Sequence, residues 1–217
     1  MKKNFTLLIL ICINSLLQTK AQVSDIEGNA YKTITIGSQI WIAENLKTTK
    51  YIDGTDIPLI CEDSLWSTLS TPAYCWYNND PDNNRATYGA LYNWFAVNTG
   101  KLCPTGWHVP SNAEWMVLTN FAGGNRVAGS KLKEAGLAHW TDLNEDATNE
   151  TGFTAIPAGY RTFTGLYFYK GTFAFWWSST EFSLYHAMRS AVYNDYIMVE
   201  NYEFDKISGM SVRCLKD

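Results

Sequence analysis

The chain has 217 residues, of which 46% are hydrophobic, 15% aromatic and 18% charged, a composition typical of a globular protein and too apolar for a disordered one. The first 21 residues contain three lysines and no acidic residue, which leaves 14 basic and 21 acidic residues, a formal charge of -7, on the rest of the chain. Because such a chain has no basic surface to displace counterions from phosphates, nucleic acid is excluded as a partner.

The N-terminal segment, residues 1–21, has the three parts of a secretory signal peptide. Two lysines follow the first methionine, residues 5–17 form a nearly unbroken apolar run, and Thr19-Lys20-Ala21 supplies a small-x-small cleavage site. The apolar run of about 13 residues is shorter than the roughly 20 that a membrane-spanning helix needs. We therefore predict cleavage before Gln22, no stable membrane insertion afterwards, and a protein that is secreted or held at the cell surface.

Cysteine usage agrees with export. Removal of Cys12 with the signal peptide leaves an even number of cysteines, namely Cys61, Cys75, Cys103 and Cys214. In an exported protein this count predicts two disulfides, and by itself it leaves three pairings open. A zinc site is the alternative, but the sequence has no Cys-x-x-Cys pair and its three histidines stand at no ligand spacing from a cysteine. We predict no metal site and no cofactor.

Residues 22–217 have the length of one domain, without a linker or an internal repeat. Near its start, residues 25–43 alternate apolar and polar side chains on both sides of Gly37-Ser38, which predicts a β-hairpin. Turn-forming residues are frequent in the next segment, residues 51–84, which we interpret as an irregular surface loop.

Three helices are predicted in the middle of the chain. Thr87 is a candidate cap for a short helix that runs through Phe95. The strongest signal is at Ser111, which with a glutamate three residues later satisfies the capping-box pattern, and the helix that follows ends at Gly123-Gly124. A third short helix is predicted over residues 127–134.

The last third of the chain is predicted to form short strands, because aromatic and β-branched residues alternate there with turn formers. The predicted strands are residues 153–156, 159–162, 173–178, 186–193, 197–200 and 209–214. Helices that are segregated from a mainly antiparallel sheet indicate the α+β class. No glycine-rich phosphate loop occurs, so a nucleotide-binding sheet is excluded.

One motif and a series of shorter ones carry a family resemblance. The segment Cys103-Pro-Thr-Gly-Trp-His-Val-Pro-Ser-Asn-Ala-Glu-Trp115 resembles the Fibrobacter succinogenes major paralogous domain, a family of exported bacterial proteins. Further likeness follows in the expected order at residues 25–29, 42–51, 72–80, 88–94, 149–155, 159–161, 176–181 and 211–217. The resemblance spans nearly all of residues 22–217.

That family is similar in turn to the C-type lectin-like fold, in which the first and last strands lie together. The resemblance implies a mainly antiparallel sheet with two or three short helices and with the two termini close together. It further implies that residues 211–215 lie near the opening hairpin and that Cys103 pairs with Cys214, which leaves Cys61 and Cys75 to form a local disulfide.

The chain departs from the active members of that fold. Lectins that bind sugar through calcium resemble one another in a Glu-Pro-Asn or Gln-Pro-Asp loop and a later Trp-Asn-Asp, and neither is present. The formylglycine-generating enzymes carry two working cysteines near the end, where this chain has only Cys214. Neither calcium-dependent sugar binding nor that enzymatic reaction is expected.

Other polar residues give weaker signals. Asp80 and Asp82 are oxygen donors in a turn without the spacing of a calcium loop, and the lone His108 between apolar neighbours is expected to be structural. A nucleophilic set of Ser178 or Ser179 with Glu181 and His186 is disfavoured, because no nucleophile elbow is present and side chains along a strand diverge.

Aromatic residues between Gly159 and Tyr202 give the clearest functional signal. Rigid amphipathic rings mixed with Asn, Asp and Ser are typical of recognition loops. The predicted ligand-binding residues are Trp177, Tyr185, Tyr193, Asn194, Asp195, Tyr196 and Tyr202.

We therefore expect a non-enzymatic binding or adhesion domain whose partner is an extracellular glycan or protein, bound without calcium. Two alternatives remain open. One is an enzyme acting on polysaccharide or protein, for which the only acids near this surface are Glu181, Asp195, Glu200 and Glu203. The other is a purely structural surface domain, which predicts no cleft.

Overall fold

The structure is a computed structural model that describes residues 22–144 and 146–217. The predicted signal peptide lies outside the described residues. The strands are β1 (Gln22–Ser24), β2 (Ala30–Ile36), β3 (Gln39–Ile42), β4 (Tyr74–Cys75), β5 (Leu91–Tyr92), β6 (Trp107–His108), β7 (Ala158–Arg161), β8 (Tyr167–Lys170), β9 (Phe173–Glu181), β10 (His186–Tyr193), β11 (Glu200–Asp205) and β12 (Leu215–Lys216). The helices are α1 (Asp63–Trp66), α2 (Pro81–Tyr88), α3 (Trp94–Val97), α4 (Asn112–Phe121) and α5 (Ala128–Leu132).

The first sheet joins the beginning of the described chain to its end. Its strand order is β1-β2-β3-β12-β6. The predicted hairpin is confirmed as β2 and β3, with Ile34 opposite Trp41 across the Gly37-Ser38 turn. Leu215 of β12 pairs with Trp41 on one side and with His108 on the other. The last strand therefore lies inside the sheet that the first strands begin.

The second sheet is formed by the last third of the chain, in the order β11-β10-β9-β7-β8. All its neighbours are antiparallel except β7 and β9, which run parallel. A third, two-stranded sheet pairs β4 with β5. Mostly antiparallel sheets with a few short helices confirm the α+β class.

Helix α4 begins as predicted. The Ser111 hydroxyl accepts a hydrogen bond from the Glu114 amide, and the Glu114 carboxylate accepts one from the Ser111 amide. The inner face of α4 carries Trp115, whose ring packs 4.9 Å from Trp41 and 5.8 Å from Trp176. This contact joins the two large sheets through α4.

The predicted loop at residues 51–84 and the predicted Thr87 cap are both wrong. The segment contains α1, β4 and a 3-10 turn at Tyr77–Asn79, and its Trp66 is fully buried. Thr87 lies inside α2, and the next helix, α3, begins only after Asn93, whose side chain accepts from the Ala96 amide. One of the turn formers in this segment, Asp80, caps α2, and the buried side chains of the segment make it part of the core.

The predicted strand at residues 153–156 is absent from the described chain and is replaced by an isolated bridge between Lys133 and Ala155. The reason is a buried guanidinium. Arg213 donates to the main-chain oxygens of Phe153 and Thr154 and lies 4.1 Å from the Phe153 ring centroid. Those oxygens are satisfied by a side chain, so the segment needs no strand partner.

The boundaries of three later strands also differ from prediction. Of the predicted strand 197–200 only Glu200 belongs to a strand, as the first residue of β11, and residues 209–214 form only isolated bridges. Strand β8 was not predicted. The bounds of β10 agree with the predicted segment.

One of the two expected disulfides is present. Cys103 and Cys214 are bonded, with Cα atoms 5.9 Å apart and a sequence separation of 111. In the described chain Cys61 and Cys75 are free thiols, so the expected local disulfide is wrong. Leu59 pairs in parallel with Tyr74, and because side chains alternate along extended segments, Cys61 faces away from Cys75. Burial raises the pKa of the Cys75 thiol to about 11.

Candidate functional site

Aromatic side chains line one face of the second sheet, where Tyr169 is exposed, Tyr160, Phe173 and Phe204 are half-buried, and Phe175 and Tyr193 are buried beneath them. They come from all five strands, because residues paired across neighbouring strands point to the same face. We call this surface the aromatic platform, and it consists of Tyr160, Tyr169, Phe173, Phe175, Tyr193 and Phe204.

The centre of the aromatic platform is a stack of three rings. Tyr169 lies over Phe173 with 4.4 Å between ring centroids and 20° between planes. Its ring is also nearly parallel to that of Tyr160, 6.1 Å away. Tyr169 is 48% exposed, so part of this ring surface is available to a ligand.

Tyr169 is held in an unusual backbone conformation. Its φ is +66°, in the left-handed region that bulky residues rarely adopt. The neighbouring strand has Gly159 with the same φ, and a Cβ added there would lie 2.4 Å from the Phe168 main-chain oxygen. Strain of this kind is concentrated at functional sites, where it positions a side chain that the fold alone does not require.

A buried cation lies behind the rings. The Arg189 guanidinium is 5.2 Å from the Phe175 ring centroid and 5.8 Å from that of Phe204. Arg189 donates to the Tyr193 hydroxyl at 3.1 Å and lies 3.6 Å from the Glu200 carboxylate. Arg189 is 7% exposed, and within residues 22–144 and 146–217 no group accepts a hydrogen bond from its buried Nε. A buried donor without a partner costs free energy, so the position of this guanidinium is set by its contacts to Tyr193, Glu200 and the two rings.

Tyr193 links the rings to this charged pair. Burial raises the pKa of Tyr193 to about 12, and the hydrogen bond that its hydroxyl donates to Glu200 contributes to the rise. The phenol therefore stays protonated at neutral pH and keeps its ring and hydroxyl in fixed positions.

The turn between β10 and β11 is held from below by Lys133. The Lys133 Nζ donates to the main-chain oxygens of Tyr193 at 3.0 Å, Asn194 at 3.4 Å and Tyr196 at 3.1 Å. Lys133 is fully buried. This contact fixes the turn that carries Tyr196, whose ring lies 6.2 Å from that of Tyr193.

The structure divides the predicted ligand-binding residues into three groups. Tyr196 and Tyr202 are exposed, at the turn and on the β11 edge of the aromatic platform, and Asp195 is exposed beside Tyr196. Trp177 and Asn194 are buried, so their prediction as ligand contacts is wrong. The Trp177 indole donates to the Tyr92 main-chain oxygen at 2.8 Å, and the Asn194 amide donates to that of Asp142 at 3.3 Å. Tyr193 is 8% exposed, and its hydroxyl is hydrogen-bonded to Arg189 and Glu200.

Tyr185 lies elsewhere. It is in the turn before β10, whereas Tyr196 follows the end of that strand. The seven steps from His186 to Tyr193, at about 3.3 Å each, separate the two ends of β10 by roughly 23 Å. Tyr185 is 71% exposed and lines a separate pocket. The predicted residues therefore belong to two sites.

Sequence reasoning missed the residues at the centre of the aromatic platform. Tyr160, Tyr169, Phe173 and Arg189 were not selected as binding residues. The available signal was the exposed aromatic run Tyr167–Lys170, which a core strand would not contain.

The weaker sequence candidates have structural roles. His108 is hydrogen-bonded to Asp217 at 2.6 Å and to Glu114 at 3.0 Å, and Asp80 caps α2 by accepting from the Asn83 amide. Ser178 is fully buried, and the Ser179 amide donates a hydrogen bond to the Pro110 main-chain oxygen. His186 contacts Ser183 and Asp205, so the disfavoured nucleophilic set of Ser178 or Ser179 with Glu181 and His186 is not assembled. Among the described residues, no group of three or more potential metal ligands is found.

Two of the four acidic residues of the enzyme alternative, Glu181 and Glu200, are separated along the second sheet. Glu181 is opposite Ala187 and is paired with Lys206, whereas Glu200 is opposite Ala191 and is paired with Arg189. Four residues of β10 place these two carboxylates about 13 Å apart along the strand, beyond the roughly 5–9.5 Å typical of glycosidase acid pairs.

The part of the chain that the structure describes has no helix with the length and apolar content needed to cross a bilayer.

No curated protein and no solved structure has significant similarity to the chain. The sequence model of the Fibrobacter succinogenes major domain matches residues 34–216, which is well over half of the chain and includes every residue of the aromatic platform. The chain therefore belongs to the Fibrobacter succinogenes major domain family.

Proposed function

We propose that the protein is an exported, non-enzymatic binding domain that recognises a glycan through the aromatic platform, without calcium. The observation that carries the proposal is the exposed, strained and stacked Tyr169. Aromatic rings attract the C–H groups of sugar rings, and the exposed part of Tyr169, with the half-buried Tyr160 and Phe173 on either side of it, offers such a ring surface.

The polar groups around the rings suit the same ligand. Tyr196 and Tyr202 are exposed at the turn and on the β11 edge of the aromatic platform, and each carries a hydroxyl that both donates and accepts hydrogen bonds. Sugar hydroxyls both donate and accept, so they can satisfy such groups where an apolar ligand would leave them unpaired. This combination favours a glycan over an apolar protein surface.

Export and fold are part of the proposal. A disulfide between Cys103 and Cys214 supports an oxidising compartment, as does the signal-peptide pattern of residues 1–21. The pairing of Leu215 with Trp41 brings the two ends of the described chain together and supports a C-type lectin-like arrangement.

The test is a glycan array probed with residues 22–217, with and without a chelator. We expect binding that the chelator leaves unchanged, and loss of at least tenfold in affinity for Tyr169→Ala and for Tyr202→Ala. Tyr185→Ala is the matched control, since it removes a tyrosine that is more exposed than Tyr169 or Tyr202 and lies about 23 Å from Tyr196. A blank array, or equal loss in all three variants, would contradict the proposal. Binding of a protein ligand to the same surface would show that the ligand class is protein and not glycan.

A further inference from the structure

A pocket of about 570 Å³ lies at the end of the second sheet opposite Tyr196, outside the aromatic platform. Its volume falls within the range of roughly 300–1,000 Å³ typical of small-molecule sites. It is formed by the turn before β10, the end of β11, α3 and the loop after α1. The lining residues are Leu69, Ser70, Phe95, Leu184, Tyr185, His186, Asp205, Lys206 and Ile207.

The lysine in this pocket is already engaged. Lys206 Nζ donates to the Glu181 carboxylate and to the Leu184 main-chain oxygen, and it lies 4.7 Å from the Trp94 ring centroid. Its side chain is 5% exposed. Since its charge is paired and its donors are used, Lys206 is not free to bind an anion.

The acid in the pocket has an open side. Asp205 is 41% exposed, and its Oδ1 lies 3.5 Å from His186 Nε2. The Ser183 hydroxyl accepts from two amides, so its proton can be donated to His186 Nδ1, 3.2 Å away. In that neutral tautomer His186 turns an N–H toward Asp205 without cancelling the carboxylate charge.

Two aromatic rings complete the pocket wall. Tyr185 is strongly exposed, and Phe95 lies on α3. A carboxylate beside aromatic rings is the combination that recognises organic cations, because the ring faces and the carboxylate both attract positive charge.

We propose that this pocket binds a small organic cation, an apolar body that carries one ammonium group, with the ammonium on Asp205 and the apolar body between Phe95 and Ile207. This site is independent of the proposed function, because it shares no residue with the aromatic platform. A neutral analogue of the same shape keeps the apolar contact and loses the charge contact. The ligand charge therefore separates this proposal from simple apolar filling of the pocket.

Isothermal titration of residues 22–217 with benzylamine, benzyl alcohol and phenylacetate tests the proposal. We expect benzylamine to bind at least tenfold more tightly than benzyl alcohol, and phenylacetate to bind more weakly than either. Equal affinities for the three probes, or no binding of benzylamine up to 10 mM, roughly the affinity floor of a fragment-sized ligand, would overturn the proposal.

Two variants locate the site. Asp205→Asn keeps the side-chain shape, and we expect it to weaken benzylamine at least tenfold while benzyl alcohol is unchanged. The matched control is Glu203→Gln, which neutralises an exposed acid on the same strand that does not line the pocket, and it should leave benzylamine binding within twofold. Leu69→Trp fills the pocket and should abolish binding of both probes. Equal effects of Asp205→Asn and Glu203→Gln would show that the cation binds by general charge attraction, which contradicts the proposal.

Discussion

Lys133 Nζ donates a hydrogen bond to the main-chain oxygen of Tyr196, 3.1 Å away, although 63 residues separate the two in the chain. The same ammonium group also serves Tyr193 and Asn194. A turn that displays an exposed tyrosine is therefore fixed by a cation that no ligand reaches. This arrangement makes Lys133 a positioning residue for the β11 end of the aromatic platform.

Replacement of Lys133 by Met should lower the free energy of unfolding by at least about 2 kcal/mol, because buried carbonyls lose a charged donor. Urea denaturation measures the change. Lys131→Met, in the last turn of α5 and two residues before Lys133, is the matched control. It breaks only an exposed pair with Glu150, at 3.5 Å, worth roughly 0–1 kcal/mol. A Lys133→Met protein as stable as Lys131→Met would show that the turn does not depend on the ammonium group.

Tyr169→Asn should separate stability from binding. Asparagine tolerates the left-handed conformation better than tyrosine, where strain costs about 1–2 kcal/mol, and this relief offsets the lost stacking on Phe173, worth about 0.5–1.5 kcal/mol. We expect the unfolding free energy to change by less than about 1 kcal/mol, whereas glycan binding is lost. Phe168→Asn serves as the comparison, since Phe168 has no positive φ and gains no such relief. Retained binding in Tyr169→Asn would exclude Tyr169 as a contact.

The disulfide predicts a large and specific loss of stability. In the chain-entropy model, closing a loop of about 100 residues contributes up to about 4.7 kcal/mol, and native disulfides contribute about 2–5. The double variant Cys103→Ala, Cys214→Ala should lose stability in this range by thermal or urea unfolding. Cys61→Ala, at a free and half-buried thiol, should lose far less.

Alkylation of the native protein gives an independent check of the thiols. Iodoacetamide should modify Cys61 first, because Cys75 is buried and burial raises the pKa of its thiol to about 11. Peptide mapping under non-reducing conditions should then find Cys103 linked to Cys214. A peptide that links Cys61 to Cys75 would contradict the structure.

His108 makes stability depend on pH. Burial lowers the pKa of His108, but hydrogen bonds to Asp217 and Glu114 outweigh burial, so the pKa lies above its ordinary value of 6.5. The protonated form is therefore favoured by folding. Its stabilising effect is complete below pH 6.5 and is lost as the pH rises through the folded-state pKa.

The measurement is the melting temperature between pH 5.5 and 8.5. We expect the wild-type protein to lose stability across the upper part of this range, and His108→Gln to lose less. Because two carboxylates face the ring, the low-pH limb also reflects their protonation, and comparison with His108→Gln isolates the histidine. Parallel curves for the two proteins would rule out this contribution.

Local signals in the sequence predicted local structure well. The capping box at Ser111 predicted the start of α4, and alternation predicted the opening hairpin and the bounds of β10. Each of these depends on residues within a few positions of one another. The same signals failed at Phe153, where the competing partner is Arg213, 60 residues away.

The candidate site was predicted only in part for a similar reason. The alternation of side chains along a strand places Trp176 and Trp177 on opposite faces of β9. It cannot show that both faces are covered: Trp176 packs against Trp115 of α4, and Trp177 is hydrogen-bonded to the Tyr92 main-chain oxygen. The stack of Tyr160, Tyr169 and Phe173 depends on a parallel pairing of β7 with β9 and on a left-handed residue. Neither the parallel pairing nor the left-handed conformation can be predicted from the neighbouring residues in the sequence.

The position of β12 has a consequence for folding. Every other described element precedes β12 in the chain, yet Leu215 occupies the space between β3 and β6. A folding chain therefore cannot complete its first sheet until its last strand is in place, and β3 keeps an unpaired edge until then. Such late, long-range pairing is slow to fold and exposes the edge to association with other chains.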